Sequence, residues 1–147
     1  MNLEQIKEQW SKDCEIDDIE LDSASLEVPK LHAKYQDLLT SKILVSKQYE
    51  AKYNILLKDK WLWYNGKLDA DKISAYGWEH DPFDGLKVMK TDMSYFFNAD
   101  PDLQEMSAKR EYLQVTINYI KECMTNITWR HQTIRNTIDW RKFMSGQ

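Results

Sequence analysis

The sequence predicts a mostly α fold: a long helix, a short broken middle segment, and a long C-terminal helix with a heptad seam that mediates oligomerisation. Three observations predict it. Residues 30–65 contain neither Gly nor Pro, and neither do residues 103–145. The whole chain of 147 residues holds only 4 Gly and 3 Pro, too few turn residues for a sandwich or barrel of many short strands. At 42% hydrophobic and 30% charged it is also too apolar for a disordered chain. A compact globule of this length buries roughly 70% of the surface its unfolded chain exposes, so one core is within reach. We expect one domain over residues 1–147 with three regions: an N-terminal helical region over 1–66, a broken connector over 67–100 and an oligomerisation helix over 101–147.

In chain order, Leu3, Ile6 and Trp10 recur at helical spacing and mark a short amphipathic helix. The run Glu15-Ile16-Asp17-Asp18-Ile19-Glu20-Leu21-Asp22 reads as an acidic connector. It is also a candidate contact for a basic partner surface. Pro29 suits the first turn of the next helix, since its missing N–H is unneeded there. That helix carries Leu31, Tyr35, Leu38, Val45, Tyr49, Tyr53 and Leu56, and should end at Asn65-Gly66, a pair that tolerates the left-handed conformation. Residues 65–100 hold three of the 4 glycines and break into short pieces. A turn or two of helix over 71–76 is closed by Gly77, turns follow over 80–85, and 86–97 is ambiguous between strand and helix. Trp78, Phe83, Val88, Met89, Tyr95, Phe96 and Phe97 give the segment enough apolar surface to dock.

Asp100-Pro101-Asp102 opens the last helix, with Asp100 as cap, Pro101 in the first helical position and Asp102 favoured by the dipole. From Leu103 the apolar positions alternate steps of three and four. Leu113, Ile120, Ile127 and Ile134 occupy d, and Ile117, Met124 and Ile138 occupy a, a pattern that favours more than two strands. His131 falls at an a position, where a buried polar residue sets register. A helix of about 40 residues is about 60 Å long, against about 40 Å for a compact domain of this size. The seam should therefore meet other copies of the chain, the alternative being that the 30–65 helix covers it within one molecule.

No segment approaches the roughly 20 apolar residues that span a bilayer, and the first residues lack a leader pattern, so a soluble intracellular protein with no membrane partner is expected. Cys14 and Cys123 fit neither a disulfide framework nor a zinc site. There is no phosphate loop, nucleophile elbow, metalloprotease pair or calcium loop. The nearest metal candidate, Glu79-His80-Asp81, consists of adjacent residues that seldom converge on one ion. No catalytic residue, metal or cofactor is assigned, and a non-enzyme is expected.

Net charge is −4, but it is patterned: residues 1–27, 28–67, 68–107 and 108–147 carry −7, +5, −6 and +4. A polyanion senses the local block within a Debye length of about 8 Å, not the total. The densest block is Leu57-Lys58-Asp59-Lys60-Trp61-Leu62-Trp63-Tyr64-Asn65-Gly66-Lys67, three lysines interleaved with three aromatics at a helix end. Single-stranded nucleic acid needs that mixture, cations for phosphates and ring faces for unstacked bases. The same residues also suit a helix end anchored in the core by its aromatics, and residues 129–142 repeat the ambiguity.

Met1-x-Leu3-Glu4, Lys12-Asp13, Ile16-Asp17, Leu57-Lys58-x-Lys60, Tyr64-x-Gly66-Lys67, Ala99-Asp100, Cys123, Ile134, Arg141 and Gly146, in this order and spacing, resemble the UvsY family of recombination mediators of T-even-type phages, including marine phage relatives. The resemblance covers most of the chain, with an expanded middle near 68–98. It implies a helical homo-oligomer, hexameric or heptameric, that binds single-stranded DNA in the host cell cytoplasm. It further implies that the chain destabilises the phage single-strand-binding protein and helps load a phage RecA-like recombinase. The family's DNA-contacting pair falls on Lys58 and Lys60, where lysine replaces an arginine and Asp59 replaces a neutral residue. The DNA-binding set is then Lys58, Lys60, Trp61, Tyr64 and Lys67. The rival expectation is a helical oligomerisation scaffold or assembly adaptor that binds no DNA.

Overall fold

The computed structural model describes all residues 1–147 and is helical throughout: α1 (Leu3–Asp13), α2 (Leu21–Tyr64), α3 (Ala70–Tyr76), a 3-10 turn (Lys90–Asp92), α4 (Met93–Asn98), α5 (Pro101–Thr128) and α6 (Arg130–Met144). None of these helices is long and apolar enough to cross a membrane. The chain divides into two compact units, one of residues 1–44 with 113–147 and one of residues 45–112. The division falls inside α2 and α5.

In the first unit, α1 begins with a reciprocal cap. The Asn2 side chain accepts the Gln5 N–H at 2.9 Å, and the Gln5 side chain accepts the Asn2 N–H at 2.8 Å. Asp17 accepts the N–H groups of Ile19 and Glu20, and the turn it makes launches α2 at Leu21, earlier than the sequence predicts. Pro29 lies inside α2. Its ring denies a hydrogen bond to the exposed Ser25 carbonyl, at a cost of about 3 kcal/mol. Val28 and Leu31, packed on the unit's core, offset it. That core is Ile6, Tyr35, Ile120, Cys123 and Ile127, with Trp10 edge-on to Tyr35 at 5.4 Å between ring centres.

The C-terminal helix is interrupted at Trp129, whose carbonyl accepts from both Gln132 and Thr133. More important, five of the seven seam residues are buried within the single chain. Leu113, Ile117, Ile120, Ile127 and Ile134 are buried and Met124 is half-buried, and apolar side chains of α1 and α2 share one core with Ile120, Met124 and Ile127. Ile138 alone of the seven is exposed. His131 is exposed too, stacked beside Trp129 with Nδ1 2.7 Å from the Thr128 carbonyl, and is not a buried register residue.

The second unit is built on Trp63, Tyr64, Leu68 and Ile73, with Trp78, Phe83, Phe96 and Phe97 against them. The middle segment is thus docked, as its aromatics predict. Asp69 caps α3 through the Lys72 N–H at 2.8 Å, and Gly77 closes it at φ 73°, the left-handed conformation read from the sequence. Residues 86–97 resolve into the 3-10 turn and α4, not a strand. Asp100 caps α5 by accepting the Leu103 N–H at 3.0 Å.

Candidate nucleic-acid interface

All five residues of the expected DNA-binding set lie in the second unit, and the helical period sorts the four on α2 onto two faces. Asn54, Leu57, Lys58 and Trp61 follow the i, i+3, i+4, i+7 spacing of one face. Together with Phe97 they line an open groove of about 520 Å³. Asp59, Lys60, Trp63 and Tyr64 fall on the opposite face and are buried.

On the outer face Trp61 is 47% exposed, with the Lys67 Nζ 5.2 Å from its ring centre. Lys58 is exposed and lies 3.8 Å from Asp59. A flat, half-exposed ring with exposed lysines on the same stretch of chain can stack a base while the lysines meet neighbouring phosphates.

On the inner face Lys60 is 2% exposed. Its Nζ lies 3.0 Å from Asp100 Oδ2 and 2.9 Å from Asp102 Oδ2. Two indoles close around it, with ring centres 4.4 Å away for Trp63 and 3.9 Å for Trp78. Tyr64 donates to Asp100 Oδ2 at 2.6 Å. Lys60 and Tyr64, both expected to touch DNA, are therefore committed to the interior. The physical reason is the pairing available there. Asp100 and Asp102 at the start of α5 supply the charge that a buried ammonium requires, and the ring faces supply the rest.

Burial by itself pushes the Asp100 carboxyl up. The Tyr64 hydroxyl, the Leu103 N–H and Lys60 outweigh it and hold the group below the usual carboxylate range. The Tyr64 hydroxyl is pushed well above its ordinary value, by burial and by the Asp100 carboxylate that its proton bridges.

Asp59 forms a second buried node. Tyr76 donates to its Oδ2 at 2.5 Å, a bond that, with burial, raises the Tyr76 hydroxyl to about 12. Its Oδ1 has no hydrogen-bond donor, only Lys58 at 3.8 Å and Lys72 at 3.9 Å. The Tyr76 ring stacks on Trp78 at 4.0 Å, and Trp63 Nε1 donates to the Glu79 carbonyl at 2.8 Å. The roles of Asp100, Asp102 and Trp78 escape sequence reasoning, which reads the first two only as helix-start residues. The 54/57/58/61 against 59/60/63/64 spacing was the available signal. At Glu79-His80-Asp81 nothing converges: Asp81 turns its carboxylate to the N–H groups of Phe83 and Gly85.

Residues 9–147 match the family described as recombination, repair and ssDNA binding protein UvsY. The recombination protein uvsY of Enterobacteria phage T4 is 24% identical over 147 residues, which span all of both chains. Crystal structures of the bacteriophage T4 recombination mediator protein UvsY share the fold. One lattice form superposes with a TM-score of 0.82 at 22% identity, covering 97% of this chain and 99% of that one. Another gives 0.79 at 21% identity, covering 99% and 98%.

Proposed function

Because the chain belongs to the UvsY family of recombination mediators, we propose that it binds single-stranded DNA through the outer face of the end of α2. Lys58 and Lys67 meet phosphates and Trp61 stacks a base, while Lys60 and Tyr64 hold that helix end in place from inside. The observation that carries this reading is the half-exposed Trp61 indole, with Lys67 over its ring and exposed Lys58 lining the same open groove. By occupying the strand, the protein weakens the hold of the phage single-strand-binding protein and assists loading of the phage RecA-like recombinase in the host cytoplasm, without catalysis of its own.

Few cations per chain call for several copies acting together, and a hexamer or heptamer multiplies them into simultaneous contacts. With most of the heptad seam buried within the single chain, self-association is proposed to use the apolar residues left bare on α6, Ile138, Trp140, Phe143 and Met144.

Fluorescence anisotropy of a labelled oligonucleotide across a salt series, with light scattering for mass, tests the proposal. Lys58→Gln with Lys67→Gln should weaken binding and flatten the slope of log K against log salt by about 1.4, two contacts at about 0.7 each. The mass should not change. An unaltered slope rejects this face as the DNA site. An assembly that binds no oligonucleotide at any salt would establish the scaffold reading instead.

A further inference from the structure

The first unit holds a buried cation that no carboxylate serves. Arg130, at the start of α6, is 6% exposed, and its Nη2 donates to the Asp13 carbonyl at 2.6 Å. Its Nε is buried with no hydrogen-bond partner. The nearby Asp13 carboxylate is engaged elsewhere: Lys34 at 2.6 Å, Tyr35 at 3.0 Å and Gln9 at 3.2 Å all converge on its Oδ2.

Arg130 forms one side of the wall of a pocket of about 360 Å³ that Lys12, Lys30 and Lys34 also line. Lys12 and Lys30 are exposed and engaged only in surface pairs along their own helices, with Glu8 at 3.8 Å and Glu27 at 3.1 Å. Such pairs are weak and easily redirected. Asp13, Glu15 and Glu27 stand in the same wall, so the pocket is mixed in charge; Arg130 is the one buried cation among its lining residues, and its Nε is without a partner.

We propose that this pocket is an anion site for a phosphate group, seated on Arg130 and reached by Lys30 and Lys12. A phosphate has oxygens enough to meet the planar guanidinium and ammonium groups at once. The phosphate belongs either to the DNA strand or to a free phosphate-bearing molecule. The site shares no residue with the 54/57/58/61 face of α2 and does not depend on the role proposed for that face.

The test follows the melting temperature of the full chain as sodium phosphate replaces sodium chloride at constant ionic strength, beside the oligonucleotide salt series. A saturable rise of about 3–6 °C is expected near tenfold excess over the dissociation constant. It should be lost in Arg130→Gln and reduced in Lys12→Gln with Lys30→Gln, a surface pair whose removal leaves the core intact. If the salt slope of oligonucleotide binding falls by about 0.7 or more in these variants, the strand supplies the phosphate. If the slope holds while the phosphate effect disappears, a free phosphate-bearing ligand does. An equal phosphate response in the wild type and the Lys12/Lys30 variant overturns the site, even if Arg130→Gln does not fold. Stabilisation by a glutamate-rich peptide in place of phosphate overturns it as well.

Discussion

The Lys60 ammonium and the Asp100 carboxylate lie 3.0 Å apart, both almost fully buried. The pair ties the last turn of α2 to the first turn of α5, and Tyr64 and Asp102 complete it. Asp100 also caps α5, so one carboxylate starts a helix and neutralises the lysine that anchors another.

Removing Lys60 should act through this node. Lys60→Met leaves Asp100 buried without its cation, and breaking a buried pair on one side costs about 3–5 kcal/mol. Adding Asp100→Asn and Asp102→Asn should restore much of the stability, because the first of these asparagines can still cap α5. Chemical denaturation reads both. If the triple variant also regains oligonucleotide binding, Lys60 positions the DNA face; a lysine that itself touched phosphate would not be rescued this way.

Trp61→Ala should leave stability almost unchanged, because the ring is half exposed, and should weaken oligonucleotide binding by about 1–3 kcal/mol if one base stacks there. An oligonucleotide abasic throughout should not distinguish the variant from the parent. Titration by anisotropy at fixed salt measures this.

The seam residues predict the reverse pattern. Ile120→Ala or Ile127→Ala should cost about 2–5 kcal/mol, since both side chains are fully buried within one chain. The loss should persist on dilution, where an interface residue's contribution fades. Trp140→Ala with Phe143→Ala should instead lower the assembled mass in light scattering and change the stability of the dilute chain little.

Acid should destabilise the fold. Asp100 and Asp13 are both held below their ordinary value against the effect of burial, Asp100 by Tyr64, Leu103 and Lys60, and Asp13 by Lys34, Tyr35 and Gln9. A depressed carboxylate contributes stability that is full above its unfolded value near 4 and is lost as pH falls through the folded value. Unfolding followed from pH 7 to pH 2 should show that decline. In Asp13→Asn it should be shallower, from a lower starting stability.

How much was legible varies by element. Gly77, the Asp100 cap and the docked aromatics of the middle segment follow from local chemistry, so they stand where the sequence places them. The start of α2 does not, because the Asp17 turn and the burial of Val28 and Leu31 override the signal of Pro29. For the block 57–67, composition alone makes every lysine and aromatic a candidate. The 3.6-residue period separates Trp61 and Lys58 from Lys60 and Tyr64, but which face is buried depends on Asp100, some 40 residues away.

What the sequence by itself determined is the helical class, the caps, the docked middle segment and the lysine and aromatic block on which the proposed DNA face rests. These depend on interactions between residues a few positions apart, which spacing records. Only the tertiary structure decided that Lys60 belongs to the core, that most of the heptad seam is buried within the single chain, and that Arg130 is buried without a carboxylate. Each of those outcomes depends on what lies opposite a side chain in space, and burial makes an ionic or apolar group answer to its distant neighbours more than to its own helix.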